Sequence, residues 1–150
     1  MSSFFIDTNI LVYAHDPRDP KRGRQARDIL KRLTSNDNGL LSVQCLTEFY
    51  RAARWKIREP LSPQEALAQI ERFTRSFLVL DLTSAIVLDA CRGSGSYQLS
   101  IWDALIWATA KLNQVPFVLS EDFQDSMLLE GVRFLNPFAD AFDVAALSTT

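Results

Sequence analysis

The sequence FFIDTN, residues 4–9, decides the fold class of this chain. Its three leading apolar residues are typical of a strand that is buried on both faces. Asp7 follows the strand directly, and Thr8 and Asn9 are good starting residues for the helix that the apolar run 10–14 predicts. Functional sites of open α/β sheets lie at the carboxyl ends of the strands. Asp7 is therefore expected to be either a helix cap or part of such a site.

Apolar segments of strand length alternate with amphipathic segments of helical spacing along the rest of the chain. The expected strands after the first lie at residues 40–42, 77–80, 117–119 and 132–135. The expected helices lie at residues 10–14, 21–33, 43–57 and 101–112, with two more starting at Ser62 and Thr83. The helix that starts at Thr83 is expected to fade at residues 93–96, which contain two glycines. This alternation predicts a doubly wound α/β sheet with parallel strands.

The composition is that of a single globular domain. The chain has 150 residues, of which 47% are apolar and 23% are charged. No apolar run approaches the ~20 residues that a membrane span needs, and no export signal is recognisable, so a cytoplasmic protein is expected. Cys45 and Cys91 fit no metal spacing and are expected to be reduced, buried thiols. His15 is the only histidine, which weakens zinc and histidine-base mechanisms.

Positive charge is concentrated in the first part of the chain. Residues 1–58 carry a net charge of +5, and residues 59–150 carry −7. A basic region beside an acidic one can bind a polyanion near a cation site, and a solvated helix face is the alternative explanation. If the polyanion is RNA, the candidate contacts are Arg22, Arg24, Arg51 and Arg54.

One acid lies in a helix that is otherwise apolar. The segment SIWDALIWATA, residues 100–110, is apolar almost all round, so this helix is expected to be buried. Asp103 is its only charged residue, and a buried carboxylate is destabilising unless another group compensates for its charge. Ser100 and Asp103 also match a capping box, so a helix cap is the alternative role of this acid.

Three further acids are candidates because of their positions. Asp122 and Asp125 follow the strand at 117–119, as Asp7 follows the first strand. Glu48 lies away from the centre of the apolar stripe of its helix, where a solvated glutamate is the alternative. A carboxylate cluster without histidine or thiolate suits a hard cation such as Mg²⁺ or Mn²⁺. Such a centre activates water for phosphodiester hydrolysis, which is the chemistry that the acids predict.

Four segments together resemble the successive motifs of PIN-domain ribonucleases, and most closely those of the VapC toxins of bacterial toxin–antitoxin pairs. They are FIDTNIL at 5–11, TEF at 47–49, IWDA at 101–104 and LSEDFQD at 119–125. The closing segment EGVRFLNPF, residues 130–138, is similar to the end of those toxins. The resemblance implies a three-layer α/β PIN-like fold with a central parallel sheet of four or five strands flanked by helices. It assigns residues 1–138 to this domain and 139–150 to a tail that is frayed or forms a short helix.

The resemblance also implies roles for individual residues. The catalytic and metal-binding acids would be Asp7, Glu48, Asp103 and Asp122, with Asp125 as a candidate fifth ligand. Thr8, Asn9 and Ser120 would orient carboxylates or water. The implied activity is Mg²⁺- or Mn²⁺-dependent hydrolysis of RNA. The implied partners are RNA, an antitoxin protein and a second copy of the chain, with Trp55 and Phe138 as candidate interface residues.

A catalytically silent PIN module that binds RNA or protein is the alternative. No acid of the motif set is missing, which favours the enzyme. A haloacid-dehalogenase-type phosphatase would have a second Asp at the position of Asn9, and a response-regulator receiver would have a lysine in the segment 120–122. The sequence has neither.

Overall fold

Six strands form one sheet in the computed structural model, which describes residues 2–148. They are β1 Phe4–Ile6, β2 Gly39–Ser42, β3 Leu78–Leu80, β4 Phe117–Leu119, β5 Leu128–Leu129 and β6 Val132–Leu135. Their order across the sheet is β3-β2-β1-β4-β6-β5. All neighbours are parallel except β5, which runs antiparallel to β6. The predicted α/β class is confirmed, with one strand more than expected.

The helices alternate with the strands, as the sequence predicts. Those of the described part of the chain are α1 Thr8–Tyr13, α2 Pro20–Asn36, α3 Val43–Trp55, α4 Pro63–Ser76, α5 Ser84–Tyr97 and α6 Ile101–Leu112. A short 3₁₀ helix, Val144–Ser148, follows at the end, with Leu147 fully buried. Its Leu147 carbonyl accepts a hydrogen bond from Asn38 Nδ2 at 2.9 Å, which ties this segment to the start of β2. No helix among residues 2–148 is long and apolar enough to cross a membrane.

The central strand β1 is covered on both faces. Its three residues are all at most 2% exposed, and consecutive side chains of a strand point to opposite faces of the sheet. In the parallel pairing of β1 with β4, Ile6 is the partner of Leu119. The residues that follow, Asp7 and Ser120, therefore emerge side by side at the same edge of the sheet.

The sequence does not predict β5, which is only two residues long. Glu130 and Gly131 form the two-residue turn between β5 and β6, and their φ angles are 46° and 88°. Two positive φ values are the requirement of the tight hairpin turns that favour glycine. A strand of this length is too short to show an apolar alternation in the sequence.

Helix α5 continues to Tyr97, so the expectation that it fades at its glycines is wrong. A Cβ atom on Gly93 would lie 2.2 Å from Cζ3 of Trp107 in α6. Trp107 is fully buried, and its indole N–H donates to the Leu129 carbonyl at 3.1 Å. Gly93 therefore serves the close packing of α5 on α6 rather than ending the helix.

Two expectations about burial hold only in part. Cys45 is buried, but Cys91 is exposed, because it lies on the outer face of α5. Helix α6 is buried from Ala104 to Ala110, whereas Trp102 in its first turn is 63% exposed. The first turn of α6 is therefore less buried than the rest of the helix.

Candidate active site

Asp7 caps helix α1 and lies at the carboxyl end of β1. Its Oδ1 atom accepts a hydrogen bond from the Thr8 backbone N–H at 2.7 Å, and its Oδ2 atom accepts one from the Ser120 hydroxyl at 2.7 Å. Burial, followed by the negative charges of Asp122 and Glu48, raises the pKa of Asp7 from 3.8 to about 7. Asp7 is therefore a helix cap and a member of a carboxylate cluster at the same time.

The Asn9 amide links Asp7 to the second acid, Asp122. Asn9 Nδ2 lies 3.5 Å from Asp7 Oδ2 and 3.1 Å from Asp122 Oδ2. Ser120 Oγ accepts from Asn9 Nδ2 at 3.2 Å and from the Asp122 backbone N–H at 3.0 Å. Because β1 and β4 are neighbours, these polar groups at their ends form one hydrogen-bonded network.

Glu48 reaches the same region from helix α3. Thr8 Oγ1 donates to Glu48 Oε2 at 2.9 Å, and Gln44 Nε2 donates to Glu48 Oε1 at 2.8 Å. The Gln44 amide also donates to the Trp102 carbonyl at 3.1 Å, which connects α3 to the start of α6. Glu48 is therefore held by neighbouring elements and is not a freely solvated glutamate. Thr8, Asn9 and Ser120, the predicted orienting residues, all form hydrogen bonds to acids of the cluster.

Asp103 enters from the first turn of α6. Ser100 Oγ accepts the Asp103 backbone N–H at 3.1 Å, so the predicted helix cap is present. Burial, followed by the negative charges of Asp122 and Glu48, raises the pKa of the Asp103 carboxyl. The helix cap positions Asp103 within electrostatic range of two other acids.

A cavity of about 570 Å³ lies between α3 and the start of α6. Glu48, Asp103 and Asp122 line it, and two cations, Arg51 and Lys56, line its α3 side. Three of the four predicted acids therefore face one cavity, and the fourth, Asp7, is buried next to them.

Arg22 is engaged elsewhere in the protein. Its guanidinium lies 5.7 Å from the ring centroids of both Tyr13 and Phe138. It also forms salt bridges with Asp19 at 3.0 Å and with Glu121 at 3.4 Å. These contacts hold α2 against the segments after β4 and β6, and Arg22 does not line the cavity.

Of the four arginines predicted to contact RNA, only Arg51 lines the cavity. The Arg54 guanidinium lies over the ring of Trp55 at 4.8 Å. Arg24 is exposed on α2 and does not border the cavity. The cavity thus joins the acids to one predicted cation and to Lys56.

Residues 4–141 match the PIN domain over nearly the whole chain. The chain belongs to the PIN-domain family. A comparison with curated proteins found no match.

Solved structures share the fold of this PIN domain at low sequence identity. A toxin–antitoxin complex from Klebsiella pneumoniae aligns with a TM-score of 0.67 and 20% identity, covering 91% of this chain and 98% of that one. DNA-bound VapBC from Salmonella typhimurium aligns with a TM-score of 0.63 and 20% identity, covering 89% and 97%. VapC20 of Mycobacterium tuberculosis, described as a sarcin–ricin loop cleaving toxin, aligns with a TM-score of 0.60 and 18% identity, covering 77% and 87%. The PIN domain thus has the fold of VapC toxins, as the sequence resemblance implies.

The chemistry of the acidic cluster suits a hard divalent cation. Asp7, Glu48, Asp103 and Asp122 offer only oxygen ligands, and none of them forms a salt bridge with a residue of the described range. Burial and, after it, the mutual repulsion of the acids raise the pKa values of Asp7 and Asp103, and a cation would relieve the repulsion. Within residues 2–148, however, no three Asp, Glu, His or Cys side chains are already arranged as a metal site.

Asp125, the candidate fifth ligand, has another contact. Its Oδ1 atom accepts the backbone N–H of Asn136 at 2.8 Å, which fastens the loop after β4 to the end of β6. The side chain is exposed and does not line the cavity.

Three residues at the site were not among the named candidate site residues. Gln44 precedes Glu48 by four residues on α3, a spacing at which helix side chains meet, so this pair could have been found. Lys56 follows the end of the same helix, and its position at the cavity depends on the tertiary fold. Trp102 is adjacent to Asp103, but apolar periodicity assigns it to the core.

Proposed function

We propose that this PIN domain is a metal-dependent ribonuclease that hydrolyses phosphodiester bonds of RNA. The observation that carries the proposal is the convergence of four acids from separate elements, of which three line one cavity and Asp7 is buried next to them, without a neutralising salt bridge. A structural role alone would favour pairing these charges with Arg or Lys, because Asp7 is buried, Glu48 and Asp103 are partly buried, and an unpaired carboxylate that is shielded from water is destabilising.

Asp7, Glu48, Asp103 and Asp122 are the residues that would hold Mg²⁺ or Mn²⁺. The bound ion would supply activated water and neutralise charge on the scissile phosphate. Thr8, Asn9 and Ser120 keep the carboxylates in place through the hydrogen bonds given above. Arg51 attracts the RNA backbone from the side of the cavity.

A catalytically silent PIN module that binds RNA or protein is the second candidate. The observation in its favour is that no three acids of residues 2–148 have ready-made metal-site geometry. A cleavage assay with purified protein distinguishes the two candidate functions. The purified enzyme should cleave single-stranded RNA with Mg²⁺ or Mn²⁺ and should be inactive in EDTA.

Variants at matched acids complete this test. Asp103→Asn preserves the size of the side chain and the helix cap but removes a charge at the cavity, so cleavage should fall by at least about a hundredfold. Asp140→Asn changes an exposed acid outside the cavity and should cleave at the parent rate. Equal rates for the Asp103→Asn protein and the parent at saturating Mg²⁺ would reduce Asp103 to a helix cap.

We further propose that the chain is the toxin of a toxin–antitoxin pair and that it acts in the cytoplasm. Structures that share its fold include toxin–antitoxin complexes, which supports this proposal. An antitoxin could neutralise the acidic cavity with an arginine, because a guanidinium pairs with carboxylates and stays protonated. Expression of the chain alone should then arrest growth, and co-expression of the neighbouring small gene should restore it. Rescue that survives replacement of every arginine of the partner would disprove the arginine mechanism.

A homodimer also remains a proposal. Trp55 is 64% exposed and is available for an interface. Phe138 is half-buried and packs edge-to-face on Tyr13 with 5.1 Å between the ring centroids, so it contributes mainly within one copy. Sedimentation should show a species of twice the 17.0 kDa chain mass, and a single 17.0 kDa species at tens of micromolar would contradict the dimer.

A further inference from the structure

Trp102 is a large aromatic residue without a partner at the edge of the acidic cavity. It is 63% exposed, and its indole makes no hydrogen bond or ring contact with any residue of the described range 2–148. The other two tryptophans differ from it. Trp107 is buried and donates to the Leu129 carbonyl, and Trp55 is covered on one side by the Arg54 guanidinium. Only Trp102 combines an uncovered ring with a place in the cavity wall.

The backbone of Trp102 is held in place although its ring is free. Its carbonyl accepts a hydrogen bond from Gln44 Nε2 at 3.1 Å, and the same amide group donates to Glu48 at 2.8 Å. Gln44 is 8% exposed, so this link is shielded from water. The backbone that carries the indole is therefore held close to two candidate metal-binding acids, Glu48 through Gln44 and Asp103 as the next residue in the chain.

Cations without partners line the α3 side of the cavity. The side chains of Arg51 and Lys56 form no salt bridge or hydrogen bond with any described residue, and both are exposed. Carboxylates alone would repel a polyanion, whereas these cations attract one. The cavity thus combines a free aromatic ring with free positive charge beside the acids, which is the pattern of single-strand nucleic-acid sites.

We propose that Trp102 is a stacking platform for one unpaired base of single-stranded RNA beside the cleaved phosphate, with Arg51 and Lys56 binding neighbouring phosphates. This inference rests on the proposed ribonuclease function and specifies its substrate as RNA with an unpaired base at the site. A base in a duplex is already stacked and paired, so its face is unavailable to the indole. A protein partner would be a rival occupant of the ring, but the free cations beside it favour a polyanion.

The test measures binding of fluorescent RNA in EDTA at low salt, so it can be read even if the chain does not cleave RNA. The probes are an adenosine oligonucleotide of about a dozen residues, an abasic ribose-phosphate chain of equal length and a duplex of equal length. Stacking of one base on an aromatic side chain contributes enough that Trp102→Ala should weaken binding of the adenosine probe by about 5- to 100-fold. Binding of the abasic chain and of the duplex should not change, because neither offers a free base.

Two variants serve as controls. Trp102→Phe retains an aromatic face and should recover most of the lost affinity. Trp55→Ala removes an equally exposed tryptophan, 64% against 63%, that does not line the cavity, and it should bind all three probes as the parent does. The proposal is overturned if Trp102→Ala binds the adenosine probe as tightly as the parent, or if the parent does not bind it. It is also overturned if Trp102→Ala weakens binding of the abasic chain as much as binding of the adenosine probe. The same holds if Trp55→Ala weakens binding of the adenosine probe as much as Trp102→Ala does.

Discussion

Ionisation of Asp7 should make the metal-free protein less stable as the pH rises. Burial raises the pKa of Asp7 from 3.8 to about 7 in the folded state, whereas the unfolded chain titrates near the ordinary value. Between these two values the folded state binds more protons than the unfolded state, so the free energy of unfolding falls with increasing pH. The complete effect is about 4 kcal/mol, of which about 2–3 kcal/mol lies between about pH 5 and pH 8.

The assay is denaturant unfolding in EDTA at both pH values. The parent should lose about 2–3 kcal/mol between about pH 5 and pH 8, and Asp7→Asn should remove most of this loss, since its amide is neutral throughout. The amide oxygen can still accept the Thr8 backbone N–H and cap α1. Groups with lowered pKa values, such as Glu130 at about 2, lose their stabilising contribution only at lower pH.

Two control measurements distinguish the contribution of Asp7 to the pH dependence of stability from that of other acids. Asp140→Asn, an exposed acid outside the cavity, should retain the pH dependence of the parent. Saturating Mg²⁺ should stabilise the parent at about pH 8, by about 2.7 kcal/mol at a hundred times its Kd, and should stabilise Asp7→Asn much less. A parent whose stability in EDTA is constant or rises over this range would refute the reasoning, as would an Asp7→Asn protein that keeps the full pH dependence.

Three further predictions follow from single contacts. Gly93→Ala should lower the free energy of unfolding by about 1–3 kcal/mol or more, because the new Cβ would lie 2.2 Å from a buried indole. Gly95→Ala faces open space in the same helix and should raise it by a few tenths to about 1 kcal/mol, so equal effects of the two variants in chemical denaturation would disprove the packing role of Gly93. Asp125→Asn should cleave RNA within about twofold of the parent, since its carboxylate binds a loop N–H outside the cavity, and a hundredfold loss would make it a ligand. Arg51→Ala should weaken RNA binding and reduce its salt dependence by about one phosphate contact, whereas Arg24→Ala should do neither. If both variants lost the same affinity for RNA, the RNA would have to contact α2 as well as the cavity.

The order of strands and helices could be predicted because it depends on local apolar patterns. Residues 4–6 and 117–119 are short apolar runs, and both are strands at the centre of the sheet. Helix α6 has the expected bounds of 101–112. The two-residue strand β5 carries no such pattern, and the glycine at position 93 is interpreted wrongly without knowledge of the tryptophan against it.

Candidate acids could be named from the sequence because they follow strands, interrupt an apolar helix or, in the case of Glu48, flank the apolar stripe of a helix. Their contacts could not be predicted, because they depend on which elements become neighbours in space. Arg22 illustrates the difficulty, since a basic helix face suggests RNA binding, yet this guanidinium contacts two aromatic rings of its own chain. Trp102 illustrates the reverse case, because its apolar character suggests the core, whereas the start of α6 exposes it at the cavity.

Analysis of the RNA products tests the central claim most directly. A carboxylate cluster that directs water at the phosphate should cut single-stranded RNA only with Mg²⁺ or Mn²⁺, and should leave no 2′,3′-cyclic phosphate. Such an enzyme should also cut an oligonucleotide in which the ribose at the cleaved bond lacks its 2′-hydroxyl, because that group is not the nucleophile. Asp103→Asn should remove this activity, and Asp140→Asn should keep it. Cleavage by the purified protein in EDTA, or products that end in a cyclic phosphate, would contradict the account.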